Sequence, residues 1–317
     1  MMSPKLFDVA VVGSVGIDTN VYLHNNDIDF SVESNYTENL DYVGSSGGYS
    51  SRAYAQLGWR TAFIGYVGAD HNGEFIRKEF ARDNINSEAL FTGHSGTDRS
   101  INFMYRDGRR KNFYDGKGHM QQKPDLEKCR AIFKKTRMAH FSIPNWARYL
   151  LPLANELEIP IACDIQDITS IDDPYRQDFI NYADFLFFSA VNYEDPASLI
   201  HQFLLRKPSQ VILTGMGARG CAIGTTNGIQ YFNAVDLEQP VVDTNGAGDS
   251  LAAGFLSSYL LEGYSIHQSV LRGQIAARHA CTLKADSSHL VRREQLDEYY
   301  HAIKWLIQAT LGNGVKK

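Results

Sequence analysis

The four cysteines of this chain stand at positions 129, 163, 221 and 281, and no two of them form a Cys-x-x-Cys pair. That spacing excludes a compact zinc knot or a small disulfide scaffold, and suits thiols kept reduced in a cytosol. No apolar run approaches the roughly 20 residues that a membrane-spanning helix needs. No dense basic stretch is present and the net charge is −5, so neither a membrane nor a nucleic acid is expected as a partner. Two nucleotide signatures are missing too. No Gly-x-x-x-x-Gly-Lys-[Ser/Thr] loop occurs, which argues against a P-loop kinase. The turn Gly13-Ser14-Val15-Gly16-Ile17-Asp18 is not a Gly-x-Gly-x-x-Gly dinucleotide fingerprint. Residues Met1–Lys5 lead straight into an apolar run and not into a signal-peptide pattern. The expectation is a soluble, cytoplasmic protein.

What is present is enough apolar material, 44% of the residues, for one large core or two modest ones. Short apolar runs of strand length occur at Asp8–Val12, Thr61–Val67, Met138–Phe141, Ile159–Asp164, Phe185–Phe188 and Gln210–Thr214. Amphipathic stretches at Gly73–Asn84, Ala147–Leu157, Arg176–Tyr182 and Ala197–Leu205 separate them, and two long helical patterns, Ile266–Leu283 and Glu294–Ala309, close the chain. This order predicts an α/β fold, a doubly wound, mostly parallel sheet flanked by helices. No repeat or low-complexity linker divides the chain, so residues 1–317 read as a single domain. Two segments break the alternation. Residues 21–43 are polar, and residues 99–115 hold two strand-like runs around an Asp-Gly turn, a hairpin signal.

The most informative segment is Asp243-Thr244-Asn245-Gly246-Ala247-Gly248-Asp249-Ser250, between an extended Pro240-Val241-Val242 and a helical Leu251–Leu256. Glycines at 246 and 248 let the backbone turn and bring N–H groups close to a ligand. The first turn of the helix adds unpaired N–H groups and the positive end of its dipole, which together make an anion hole. A carboxylate at its rim, Asp249, suits the task of taking a proton from an attacking hydroxyl. An ordinary helix start with an Asp cap uses the same residue types, but the whole octet is far more specific.

The octet resembles the C-terminal motif of the ribokinase-like (PfkB) carbohydrate kinases. The resemblance runs from about residue 7 to 290 and implies ATP with Mg²⁺, Asp249 as base, and the amides of Gly246, Ala247 and Gly248 as the anion hole. It implies that segments 21–43 and 99–115 form a small β-sheet lid over the sugar, often with a homodimer contact. Gly44-Ser45-Ser46-Gly47-Gly48-Tyr49 resembles the N-terminal substrate motif, with Ser45 in place of the second Gly and Tyr49 in place of an Asn. By the same likeness Asp18, just beyond the first strand, and Asp164 face the substrate. Tyr49 either contacts substrate or packs into the core. On the nucleotide side the resemblance points to Thr214, Gly217, Gly220, Thr244 and Gln274. For Mg²⁺ it offers Asn192, Glu194 and Asp195, a poor fit to the family's Asn-x-x-Glu. Asp243 and Asn245 stand where some members hold a monovalent cation such as K⁺. The expected activity is phosphorylation of a hydroxymethyl group on a small sugar. A nucleoside kinase of the same fold and a non-catalytic sugar or nucleotide sensor are the rivals, the first suggested by Tyr49 and the aromatic hairpin residues Phe103, Tyr105, Phe113 and Tyr114.

Overall fold

Runs such as Phe7-Asp8-Val9-Ala10-Val11-Val12 are apolar on both sides of the pleat, and all six of these residues are buried. A strand of that kind is stable only with a covered sheet on each face. In the computed structural model, which describes residues 5–313 apart from 108 and 169, with side chains through Lys304, that is what surrounds it. Nine strands form the main sheet: β1 Phe7–Val12, β4 Thr61–Gly68, β5 Asn86–Gly93, β8 Thr136–Phe141, β9 Ile161–Asp167, β10 Phe185–Ser189, β11 Val211–Gly215, β12 Cys221–Thr225 and β13 Gly228–Phe232. Their order is β13-β12-β11-β10-β9-β8-β1-β4-β5, parallel from β11 to β5 and closed by an antiparallel hairpin. Successive residues of β10 point to opposite cores. Phe185 and Phe187 join Phe63, Phe80 and Phe255, while Leu186 and Phe188 join Phe133, Phe179 and Phe203.

The helices that cover the sheet are α1 Ser46–Gln56, α2 His71–Arg82, α3 Leu126–Lys134, α4 Leu151–Glu156, α5 Gln177–Tyr182, α6 Ala197–Arg206, α7 Ala247–Leu256, α8 Ile266–Ala280 and α9 Arg293–Asn313. The strongest helix pairing is α7 on α8, where Gly254 and Gly273 let the backbones approach: a Cβ on Gly254 would lie 3.0 Å from the Gly273 Cα. Among the described residues no helix is long and apolar enough to cross a membrane.

A separate four-stranded sheet stands over one end of the main sheet, built from β2 Gly16–Leu23, β3 Thr37–Gly44, β6 Asp98–Met104 and β7 Arg110–Asp115 in the order β3-β2-β6-β7. It is the small sheet expected from 21–43 and 99–115, with one difference. Its first strand begins at Gly16, so Asp18 lies inside a lid strand and not in a turn after β1. Residues Pro240–Val242 form no strand; the Val242 N–H bonds the Cys281 carbonyl at 2.7 Å and both valines are exposed. Gly108, half of the anticipated Asp-Gly turn, lies outside the described residues. The strands β5, β12 and β13 carry no expectation from sequence. β5 and β13 are mixed in polarity, and β12–β13 follows a glycine turn that resembles a ligand loop.

Candidate active site

Helix α7 starts on Gly246, whose φ of +73° is natural for glycine and strained for other residues. Sterics demand glycine there as well, since a Cβ would lie 2.2 Å from the Tyr49 ring. Gly248 is different: a Cβ would meet nothing within 4 Å. Alanine would favour the helix by about 1 kcal/mol, so a bare backbone in the open first turn is best explained by a ligand that comes close. Asp249 follows in that turn and accepts a hydrogen bond from the Ser50 hydroxyl of α1 at 3.1 Å. Burial holds its carboxyl well above the usual carboxylate range, and the neighbouring charge of Asp164, in the middle of β9 and not beyond its end, adds to this. Asp164 is pushed upward too, chiefly by burial. A carboxylate tuned in this way takes up a proton readily, which a general base must do.

The second wall comes from the lid. Asp18 is 6% exposed, and burial raises its pKa to about 6, against the lowering effect of the adjacent Ser45 N–H and Ser100 hydroxyl. Among the described residues Asp18 Oδ1 has no hydrogen-bond partner, nor does the hydroxyl of Ser45. Gly44 leaves the room for it, because a Cβ there would lie 2.1 Å from the Asp18 carboxyl carbon. Ser45 has a backbone (φ +63°, ψ 158°) that glycine adopts freely and that is strained for serine. Gly47 packs on the end of β1, where a Cβ would lie 2.6 Å from the Ser14 carbonyl oxygen. Gly48 is buried in the first turn of α1.

Tyr49 is 3% exposed, lies beneath Gly246 and donates to the Tyr42 hydroxyl at 3.0 Å. Its burial fits the packed one of its two anticipated roles: the ring is a floor for the loop at Gly246. The aromatic hairpin also divides. Phe103 and Phe113 meet edge to face at 5.7 Å on the outer side of the lid, opposite to Asn102 and Asn112. Tyr114 alone of the four turns inward, donating to Asp98 at 2.8 Å and lying 3.4 Å from the Ser14 hydroxyl.

Of the residues assigned to nucleotide and metal, Asn192, Glu194, Asp195, Thr214, Gly217 and Gly220 lie at or just beyond the ends of adjacent strands, since Ser189 of β10 pairs with Gly215 of β11. Gly217 (φ +62°) and Gly220 (φ +93°) shape the turn there, and Arg219 ties it to the carbonyls of Tyr193 and Glu194. Thr214 is fully buried with its hydroxyl engaged by the Phe188 carbonyl at 2.9 Å, so it supports the strand end and presents nothing outward. Gln274 is likewise turned to the protein, its amide bonding the Cys221 sulfur and the Phe232 carbonyl. Thr244 is exposed in the loop before Gly246. Asn192, Glu194 and Asp195 are all exposed, but Asp195 is engaged by the Ala197 N–H and the Tyr231 hydroxyl, which hold its carboxyl below the usual range. Among the described residues no three acidic, histidine or cysteine side chains gather to form a metal cage.

Sequence reasoning passed over Asn20, Tyr22, Asn102, Asn112 and Arg110, all on the inner face of the lid. Asn102 donates to Asn20 at 3.0 Å and accepts from Asn112 at 2.8 Å, while Arg110 reaches Asn245 of the anion-hole loop. Among the described residues no carboxylate forms an ion pair with Arg110. The signal was legible as a period of two: Asp18, Asn20 and Tyr22 share one face of a strand.

Comparison with known proteins agrees with this arrangement. The sequence matches the pfkB family carbohydrate kinase pattern over residues 6–291. It is 28% identical over 295 residues to an acarbose 7(IV)-phosphotransferase of Actinoplanes, covering 91% of this chain and 97% of that protein. It is 24% identical to a fructoselysine 6-kinase of Escherichia coli, over 74% of this chain and 85% of the relative. Among solved structures, a microbiome-derived acarbose kinase superposes with a TM-score of 0.85 at 29% identity, covering 93% of this chain and 99% of the other. A ribokinase from Giardia lamblia shares the fold with a TM-score of 0.82 at 16% identity, over 94% and 99% of the two chains.

Proposed function

This chain belongs to the pfkB family of carbohydrate kinases, and on that footing we propose that it transfers the γ-phosphoryl group of ATP to a hydroxymethyl oxygen of a sugar. Asp249 takes the proton of that hydroxyl as the oxygen attacks phosphorus and the bond to the ADP oxygen breaks. The N–H groups of Gly246, Ala247 and Gly248 meet the charge that develops on the transferring group. Arg110, a guanidinium close enough to Asp18 to lower its pKa and bonded to Asn245, lies between the substrate wall and that hole and adds a positive charge. Mg²⁺ bound with ATP neutralises phosphate oxygens, and Asn192 and Glu194, exposed near the end of β10, would hold its water shell. The absence of an acidic cage among the described residues fits a metal that keeps most of its waters. A nearby K⁺ fits poorly, for reasons given below.

The observation that carries the sugar reading is the buried Oδ1 of Asp18 beside Ser100, without a partner among the described residues, on a lid face that also carries the Asn112 amide. Amides and a carboxylate suit a ligand rich in hydroxyl groups. A nucleobase would need an aromatic clamp; Tyr49, Phe103 and Phe113 point elsewhere, and Tyr114, which does turn inward, is a single ring whose hydroxyl is held by Asp98. The likeness to acarbose and fructoselysine kinases supports a sugar derivative, and a pure sensor would have no use for a tuned Asp249. The test is ATP consumption with acarbose, fructoselysine, ribose, fructose and adenosine, each with Mg²⁺. Saturable turnover of a sugar compound is expected; turnover of adenosine alone would overturn the reading.

A further inference from the structure

Asp243 opens the loop that ends in the anion hole, and its carboxylate is 4% exposed. Its Oδ1 accepts the Asn245 N–H at 2.9 Å. Its Oδ2 accepts the Asn20 side-chain amide at 2.6 Å and the Tyr22 hydroxyl at 3.0 Å, and both donors come from lid strand β2. Asn20 is wholly buried and its own carbonyl accepts from Asn102 at 3.0 Å, Asn245 at 3.4 Å and the Tyr42 hydroxyl at 3.4 Å. The Lys284 ammonium lies 4.6 Å from the centre of the Tyr22 ring, and Arg110 reaches Asn245 from β7. The lid and the anion-hole loop are thus joined through one buried carboxylate.

A monovalent cation at Asp243 would need oxygen acceptors around it. This carboxylate instead faces one backbone N–H, one amide N–H and one O–H, three positive bond ends. The donor set does not fit a cation. We propose that Asp243 is a lid latch: donors from β2 hold the carboxylate, the carboxylate holds the Asn245 backbone, and the loop takes its anion-binding shape when the lid is docked, without K⁺. Charge-assisted hydrogen bonds in a buried site are among the stronger polar contacts, and a carboxylate that loses its donors there is left without compensation. Asn20, Tyr22 and Asp243 are positioning residues, for they act on the phosphate-binding amides through the loop.

The kinetic part of this proposal rests on the kinase reading above, whereas hydrogen exchange of the free protein does not. In Tyr22→Phe, which keeps the ring and loses one donor, amide exchange should quicken by about tenfold both in residues 16–23 and in residues 243–249. Asn20→Ala should do so more strongly, with β1, β9 and β10 unchanged in both variants. On whichever sugar the wild type phosphorylates, Tyr22→Phe should lower kcat by about tenfold and leave the sugar KM within about twofold. Wild-type kcat and Tm should be the same in K⁺, Na⁺ and tetramethylammonium chloride at equal ionic strength. Faster exchange confined to the lid strand, or a K⁺-specific rise in wild-type kcat or Tm, would overturn the latch. A protein that phosphorylates no sugar defeats the kinase reading, and the exchange result then decides the latch by itself.

Discussion

In the nine-stranded sheet, β10 sends alternate side chains into two apolar cores and shows almost nothing to solvent. In the four-stranded sheet, the same two-residue alternation parts Phe103 and Phe113 from Asn102 and Asn112. One sheet is hydrophobic on both faces because helices cover both. The other has a polar inner face that meets the loop at Asp243 and Asn245 and, in the function proposed, a sugar. The first kind of burial yields stability. The second leaves groups such as Asp18 Oδ1 without a protein partner, a destabilising arrangement that makes sense only where something else binds.

Four substitutions sharpen that contrast, and the largest effect belongs to Asp249, the proposed base in the first turn of α7. Asp249→Asn keeps shape and removes the proton acceptor, so kcat should fall by about 10²–10⁴-fold while calorimetry shows ATP affinity little changed. A near-normal rate would dismiss Asp249 as the base. Asp18→Ala, on the lid side, should raise the sugar KM by an amount matching about 1.5–3 kcal/mol and leave the ATP KM nearly unaltered. Equal losses for both substrates would mean that the lid face is not a sugar wall.

The same carboxylate links lid and stability through pH. Its folded value of about 6 lies above the ordinary 3.8, so between those values the folded protein holds a proton that the unfolded chain has released. Stability of the free protein should therefore fall as pH rises from about 4 to about 6, by an amount on the order of 2 kcal/mol from this group. Asp98, also raised to about 6, shares the window, so Asp18→Asn should flatten the slope of urea midpoints against pH without abolishing it. Activity should rise across the same interval, since ionised carboxylates are the acceptors. A slope identical in Asp18→Asn would show that burial of this group is not what the pH senses.

The smallest expected effect is at Tyr49. With the ring retained as a floor for Gly246, Tyr49→Phe loses one hydroxyl contact to Tyr42 and should cost about 1 kcal/mol of stability with kcat nearly intact. A marked rise in sugar KM would instead put that hydroxyl on the substrate.

The contrast also explains what could be read from sequence. Every expected strand of the main sheet is present, because an apolar run bounded by polar turns has few other ways to fold. The octet was legible for a related reason, since backbone geometry requires glycine at 246. The lid was legible as a hairpin signal at 99–115 and a polar interruption at 21–43, but not residue by residue. Its inner positions are Asn, Ser and Tyr, which carry no hydrophobic period, and the boundary set at residue 21 cut Asn20 from Tyr22. Thr214 and Gln274 were misleading for the opposite reason: their motif neighbours do turn around the strand ends, while these two side chains find buried partners on their own side of the sheet. Nothing in the spacing of Asp243 and Asn20, 223 residues apart, marks them as partners.

The parallel pairing of β2 with β6 has a further bearing, on the order in which the chain can assemble. β3 lies close behind β2 and can pair with it as an antiparallel neighbour, but the other edge of β2 must wait for residues 98–104. Between them the chain lays down α1, β4, α2 and β5, the flank of the main sheet. During synthesis Asp18 and Asn20 therefore sit on an open strand edge while that flank is being made. Closure of so long a loop is slow relative to local pairing. Their polar side chains discourage that waiting edge from recruiting a strand of another molecule. Asp18, suited to meet a sugar in the finished protein, and Asn20, which there holds Asp243, are thus also suited to keep the unfinished one from aggregating.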